Sequence, residues 1–192
     1  MPSLTTISSW YKYSQIEYFT PFMKLWLAFN SWYKQFLPNI RTDREAIDSI
    51  KNGSPIMDKF NSLIDATGDD ADEFRSSLAS LVKELRIQAL INEAGRSVNF
   101  QQSDAEPNFR NLSTKVKTNR LNSGNFIRLD NDTIITSDKG MLFKETLEAI
   151  YQIRCGLIHG DFDIDNQRAQ RLIKGAFIIL NKTFSPVVLT EE

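Results

Sequence analysis

Two side chains carry the clearest chemical potential. Arg154 and His159 lie five residues apart in Ile150-Tyr151-Gln152-Ile153-Arg154-Cys155-Gly156-Leu157-Ile158-His159-Gly160-Asp161. An imidazole titrates near neutral pH, so it can take a proton from a ribose 2′-OH and return one to a leaving oxygen. A guanidinium has a planar donor fork that suits phosphate, and it stabilises charge building in a phosphoryl transition state. Together they could cleave an RNA phosphodiester without a metal ion or cofactor. His159 is the single histidine and Cys155 the single cysteine. A four-ligand Cys/His zinc site within one chain is therefore excluded, and a Ser-His-Asp triad would have to use His159.

The surroundings of the pair set conditions on that chemistry. On an ideal wheel of ~100° per residue, Phe143, Leu147, Ile150 and Arg154 fall within ~60° of one another. Arginine in an apolar stripe implies a buried carboxylate, an interface or an anion-receiving cleft. The first case would be a structural ion pair with Glu84, Glu145 or Glu148. His159 is turned ~140° from Arg154 on an ideal helix, so one helix face does not join them. Gly156 weakens the helix by ~1 kcal/mol relative to Ala, and Gly160 ends it, which loosens the last turn. The other route is a dimer in which two copies of the segment face one cleft. The bland reading of His159 is a polar helix end bonding a last carbonyl. Cys155 reads as a small buried hydrophobe, and Asn30 as a satisfied core amide.

The elements that must position these groups are helical. Phe22, Leu25, Trp26, Phe29, Trp32, Tyr33 and Phe36 recur at helical spacing from about Pro21 to Leu37, with Thr20 as cap. This wide stripe is expected to be core. Thr42 and Glu45 form a capping box for a short helix, Asp43 to Lys51. Further helices are expected from about Pro55 to Ala66, from Ala71 to Glu93, and from Gly140 to Ile158. A last helix, capped by Asp163 or Asp165, should reach Phe184, with Pro186 beyond it and a loose tail. The period disappears between about Arg96 and Lys139. There, Phe126 to Leu129 and Thr133 to Thr136 read as a small β-hairpin. The expected fold is all-α, an up-and-down bundle of five or six helices forming one domain over 1–192, with 96–139 as an irregular insertion.

Composition narrows the class. Apolar residues make up 41% and charged residues 24%, as in globular proteins. The net charge of -1 excludes a globally basic RNA-binding surface but not a local patch. One candidate patch holds Lys115, Lys117 and Arg120; another holds Arg168 and Arg171. Either could track phosphates, and either could be an ordinary solvated face. The N-terminus lacks the pattern of a signal peptide, and apolar runs fall short of the ~20 residues needed to span a bilayer. With one cysteine, a cytoplasmic location without disulfides is expected.

The pattern Arg154-x4-His159, within Ile153-Arg154-Cys155-Gly156-Leu157-Ile158-His159-Gly160-Asp161, resembles the R-x4-6-H motif of HEPN domains. The first helix, with Leu25-Trp26-Leu27-Ala28-Phe29-Asn30-Ser31-Trp32-Tyr33, is similar to the opening helix of bacterial HEPN-like proteins. The resemblance spans roughly 14–94 and 140–184. It implies a helical bundle, a homodimer joined through the motif helices, and metal-independent RNA cleavage by 2′-OH attack, as in toxins and antiviral defence factors. Arg154 and His159 become the catalytic pair, with Cys155, Gly156 and Asp161 in support and RNA as partner. Toxins modified by a nucleotidyltransferase tend to have Tyr where Asp161 stands, so an antitoxin, if present, would be of another kind. The alternative is a non-catalytic HEPN-like module binding a nucleotide, RNA or a protein. Cys155, where active members often carry Asn, Asp or His, favours that alternative.

Overall fold

Local capping chemistry explains where three of the helices begin. The computed structural model describes residues 17–87, 90–91, 97–98, 127–130, 133–135, 139–160 and 166–189. Among them are six helices: α1 (Phe19–Phe36), α2 (Asp43–Lys51), α3 (Pro55–Asp65), α4 (Asp69–Ile87), α5 (Lys139–Ile158) and α6 (Gln167–Leu189). The Thr42 hydroxyl accepts from Glu45 N at 3.2 Å, and Glu45 Oε2 accepts from Thr42 N at 3.2 Å, completing the capping box of α2. Ser54 caps α3 with Pro55 at its first position. Asn166 Oδ1 caps α6 by accepting from Arg168 N at 2.8 Å.

Four boundaries differ from the sequence expectation. α4 runs from Asp69 to Ile87 and not from Ala71 to Glu93, because the backbone groups of Leu90 and Ile91 pair with Ser97 and Val98 in an antiparallel ladder in place of a further helical turn. α1 starts two residues before Pro21, and Thr20 is not its cap; Thr20 N donates instead to Glu17 Oε1 at 3.1 Å. Pro21 costs nothing there, because the first helical N–H groups have no intrahelical acceptor. α6 is capped by Asn166, and Asp163 and Asp165 lie outside the described residues. α6 also runs through Pro186 to Leu189, so Val187 to Leu189 are helical and not a loose tail. Tertiary packing of Ile179, Leu180, Thr183 and Phe184 holds the turns before the proline and overrides its breaking tendency.

Four two-residue strands form two antiparallel ladders: β1 (Leu90–Ile91) with β2 (Ser97–Val98), and β3 (Ile127–Arg128) with β4 (Ile134–Ile135). The second ladder pairs Ile127 with Ile135 and Arg128 with Ile134, within the stretch read as a hairpin. Most of the 96–139 segment lies outside the described residues.

The helices share one apolar cluster. α6 is its hub, packing on α4, α1, α3 and α5, while α5 also packs on α2 and α3. Gly175 faces α4 closely; a Cβ there would sit 3.4 Å from Leu81 Cβ. By length and composition alone α6 could cross a membrane, but its apolar face, from Ala169 to Phe184, lies in the core. Most of the α1 stripe is core as expected: Phe22, Trp26 and Phe29 are fully buried, and Phe29 meets Tyr33 and Phe184 edge-on. Phe36 departs from it, being 45% exposed in the last turn, where its ring stacks on Trp32. α5 is buried almost all round, including Glu145, Thr146 and Glu148. A single apolar stripe is thus too narrow a description of this helix. It is clasped from two sides, which obliges its charged groups to find partners.

Candidate functional site

Arg154 extends the buried line of Phe143, Leu147 and Ile150 along α5 and emerges where α1 and α2 meet that helix. Its Nη2 donates to Asp43 Oδ2 at 3.1 Å, and its Cζ lies 5.5 Å from the Trp26 ring centroid. Nη1 approaches Cys155 Sγ at 3.9 Å. The side chain retains 20% of its surface, while its Nε is buried with no partner among the described residues. The acid expected to pair with it was Glu84, Glu145 or Glu148; the partner is Asp43. Glu84 serves Arg168 and Arg171, and Glu148 serves Arg44 and Lys51.

Asp43 is itself anchored. It is the first residue of α2, behind the Thr42 cap. Its Oδ1 accepts from Asn30 Nδ2 at 3.1 Å, and the same amide donates to the Tyr33 hydroxyl. Burial first, and then hydrogen bonding and charge from Asp43, push the Tyr33 hydroxyl well above its ordinary range, so this phenol stays protonated. Asn30 is therefore a satisfied amide, as expected, but it also belongs to the polar shell behind Arg154.

A second cation lies alongside. Arg44 Cζ sits 5.7 Å from the Tyr151 ring centroid, and Tyr151 is tilted against Trp26 with ring centroids 6.2 Å apart. Burial, followed by a hydrogen bond with the Cys155 thiol, pushes the Tyr151 hydroxyl up to about 12. Arg44 Nη1 donates to Glu148 Oε1 at 2.7 Å and Oε2 at 2.9 Å. Lys51 Nζ reaches Glu148 Oε2 at 2.5 Å, and Gln152 Nε2 reaches Oε1 at 2.7 Å. Burial alone would raise the Glu148 carboxyl, but the hydrogen bonds from Arg44, Gln152 and Lys51 outweigh it and hold the group below its usual range.

His159 lies just past the end of α5. Its backbone N donates to Cys155 O at 3.0 Å, and Gly160, at φ +70°, turns the chain out of the helix. Its side chain is exposed and makes no hydrogen bond or ion pair with a described residue. The last turn therefore keeps α-helical bonding, and the ~140° separation of an ideal helix applies. Arg154 is turned toward α1 and α2, and the imbalance in burial agrees with that. Loosening at Gly156, which is buried inside the helix, does not join the two groups in one chain.

The remaining candidates divide. Cys155 is half-buried beside Arg154 and Tyr151, and Asp161 lies outside the described residues. Arg168 and Arg171 both engage Glu84, and Lys182 pairs with Asp70 at 2.5 Å and Glu73 at 2.7 Å. The basic face of α6 is thus largely matched by acids of α4. Lys115, Lys117 and Arg120 lie outside the described residues. Among the described residues no cluster of His, Cys, Asp or Glu could hold a metal ion. Comparison with known proteins finds no matching family, no similar curated protein and no similar solved structure.

Proposed function

We propose that this protein is a metal-independent endoribonuclease of HEPN type that works as a homodimer. Arg154 and His159 of two facing copies would form the site. The observation that carries this reading is a held, part-exposed arginine side chain and, at the end of the same helix, an exposed imidazole that bonds to no described residue. Each half has what its role requires. Arg154 makes one strong hydrogen bond, to Asp43, and so has further N–H groups to offer a phosphate. The exposed His159 ring bonds to no described residue, which suits proton transfer with a ribose hydroxyl or a leaving oxygen.

The two groups diverge within one chain, and two-fold symmetry offers a way to reunite them. In an isologous dimer, the patch around the end of α5 meets its own copy, bringing one chain's imidazole toward the other's guanidinium. Ile158 is 49% exposed beside His159 and would contribute apolar area to such a contact. In the step itself, His159 removes the 2′-OH proton as the oxygen attacks phosphorus. The P–O5′ bond breaks, a proton passes to the departing oxygen, and a 2′,3′-cyclic phosphate and a 5′-hydroxyl result. Arg154 stabilises the developing phosphorane charge.

The test is cleavage of a mixed-sequence RNA pool in the presence of a chelator. Wild-type protein should yield cyclic phosphate ends, and His159→Ala should lose turnover while keeping its helical circular dichroism. Full activity in His159→Ala contradicts the role given to the imidazole.

A further inference from the structure

Asp43 shows more organisation than a chance surface ion pair. It is fixed from three directions. The Thr42–Glu45 capping box sets its backbone at the start of α2, Asn30 of α1 holds Oδ1, and Arg154 of α5 takes Oδ2. Each carboxylate oxygen thus has its own donor from a different helix. Asp43 is 27% exposed and Arg154 20%, so the pair is sheltered without being sealed. A carboxylate in the first turn of a helix is further favoured by the macrodipole. The Trp26 ring limits the guanidinium on another side. A long, flexible side chain is thereby restricted to a narrow range of orientations.

We infer that Asp43, steadied by Asn30, is the positioning residue that presents the Arg154 guanidinium to the scissile phosphate. This rests on the nuclease reading above and adds to it the group through which Arg154 acts. Asp43 does not touch the substrate. It fixes which edge of the fork faces outward and removes the need to order the side chain as the reaction proceeds. Misplacement of a charge-stabilising group by about 1 Å can reduce rate on the order of a hundredfold. The effect falls on the chemical step, not on ground-state binding.

The experiment compares single-turnover cleavage of a mixed-sequence RNA pool by wild type, Asp43→Asn, Asn30→Ala, Arg154→Lys and the Asp43→Asn/Arg154→Lys pair. Asp43→Asn should lower kcat by roughly ten- to a hundredfold, with KM changed by less than about twofold. Asn30→Ala, which leaves the Arg154–Asp43 bond in place, should show a smaller loss of the same kind and gives a second reading if Asp43→Asn does not fold. In the Arg154→Lys background, Asp43→Asn should cost little more, because both changes remove one arrangement. A purely structural residue would instead lower the unfolding midpoint and act additively. Wild-type or raised kcat in folded Asp43→Asn, with Arg154→Lys impaired, overturns the positioning role and leaves the nuclease reading standing. Wild-type cleavage by Arg154→Lys and by His159→Ala overturns both.

Discussion

Replacing Glu148 by Gln should destabilise the fold by about 2–4 kcal/mol. Glu148 lies between α2 and α5 with 10% of its side chain exposed, and its Lys51 partner has 5%. The Gln amide keeps the shape and removes the charge. Arg44, 38% exposed, can then turn to solvent, so its share of the loss is below about 1 kcal/mol. Lys51 has no such escape; its remaining acid is Asp48 at 3.4 Å, which is 48% exposed. Breaking a buried pair from one side costs ~3–5 kcal/mol, and Asp48 should reduce this to about 2–4 kcal/mol. For a chain of this size the melting midpoint should fall by roughly 4–16 °C. Thermal and urea unfolding followed by circular dichroism measure it. Adding Lys51→Met to Glu148→Gln should recover about 1 kcal/mol or more, since the stranded ammonium is then gone. A loss under ~0.5 kcal/mol for Glu148→Gln would refute the claim that this network is desolvated.

Other outcomes follow from the same structure. The Glu148 carboxyl titrates lower folded than unfolded, so its contribution is present above the ordinary carboxylate pKa of ~4.3 and disappears as pH falls through the folded value. Wild type should therefore lose stability more steeply below about pH 4.3 than Glu148→Gln does, as acid titration of the urea midpoint would reveal. Thr42→Ala removes the side-chain half of the α2 capping box and should cost about 1 kcal/mol in urea unfolding. Gly160→Ala should cost ~1–2 kcal/mol because its φ of +70° crowds a Cβ, and Gly160→Asn should cost less.

Local signals in the sequence located the helices to within about a turn, except at the ends of α4 and α6. The capping box at Thr42 and Glu45, the Ser54-Pro55 start and the Gly160 stop all act within a few residues, so the chain itself reveals them. The wheel also placed Arg154 correctly, in line with Phe143, Leu147 and Ile150. What it could not reveal was the partner. Asp43 is 111 positions away, and as an acid in the first turn of α2 it already had a sufficient local explanation. Of the acids expected, Glu84 is taken by α6 cations and Glu148 by α2 cations. The end of α6 was misread for a related reason. Pro186 is a strong local stop, but the packed face of Ile179, Leu180 and Phe184 carries the helix past it. The basic run on α6 reads equally as a phosphate track or a solvated face in the sequence, and the acids of α4 opposite it favour the latter.

The central claim is that one copy's Arg154 works with another copy's His159, and mixing inactive variants tests it most directly. Arg154→Ala and His159→Ala proteins, each inert alone, are unfolded, combined in equal amounts, refolded together and assayed on the RNA pool. Half of the resulting dimers should be mixed, each with one of two intact cross-chain pairs, so about a quarter of the wild-type rate should return. A mixture that stays as inactive as its components, although mass spectrometry shows mixed dimers, contradicts the shared site.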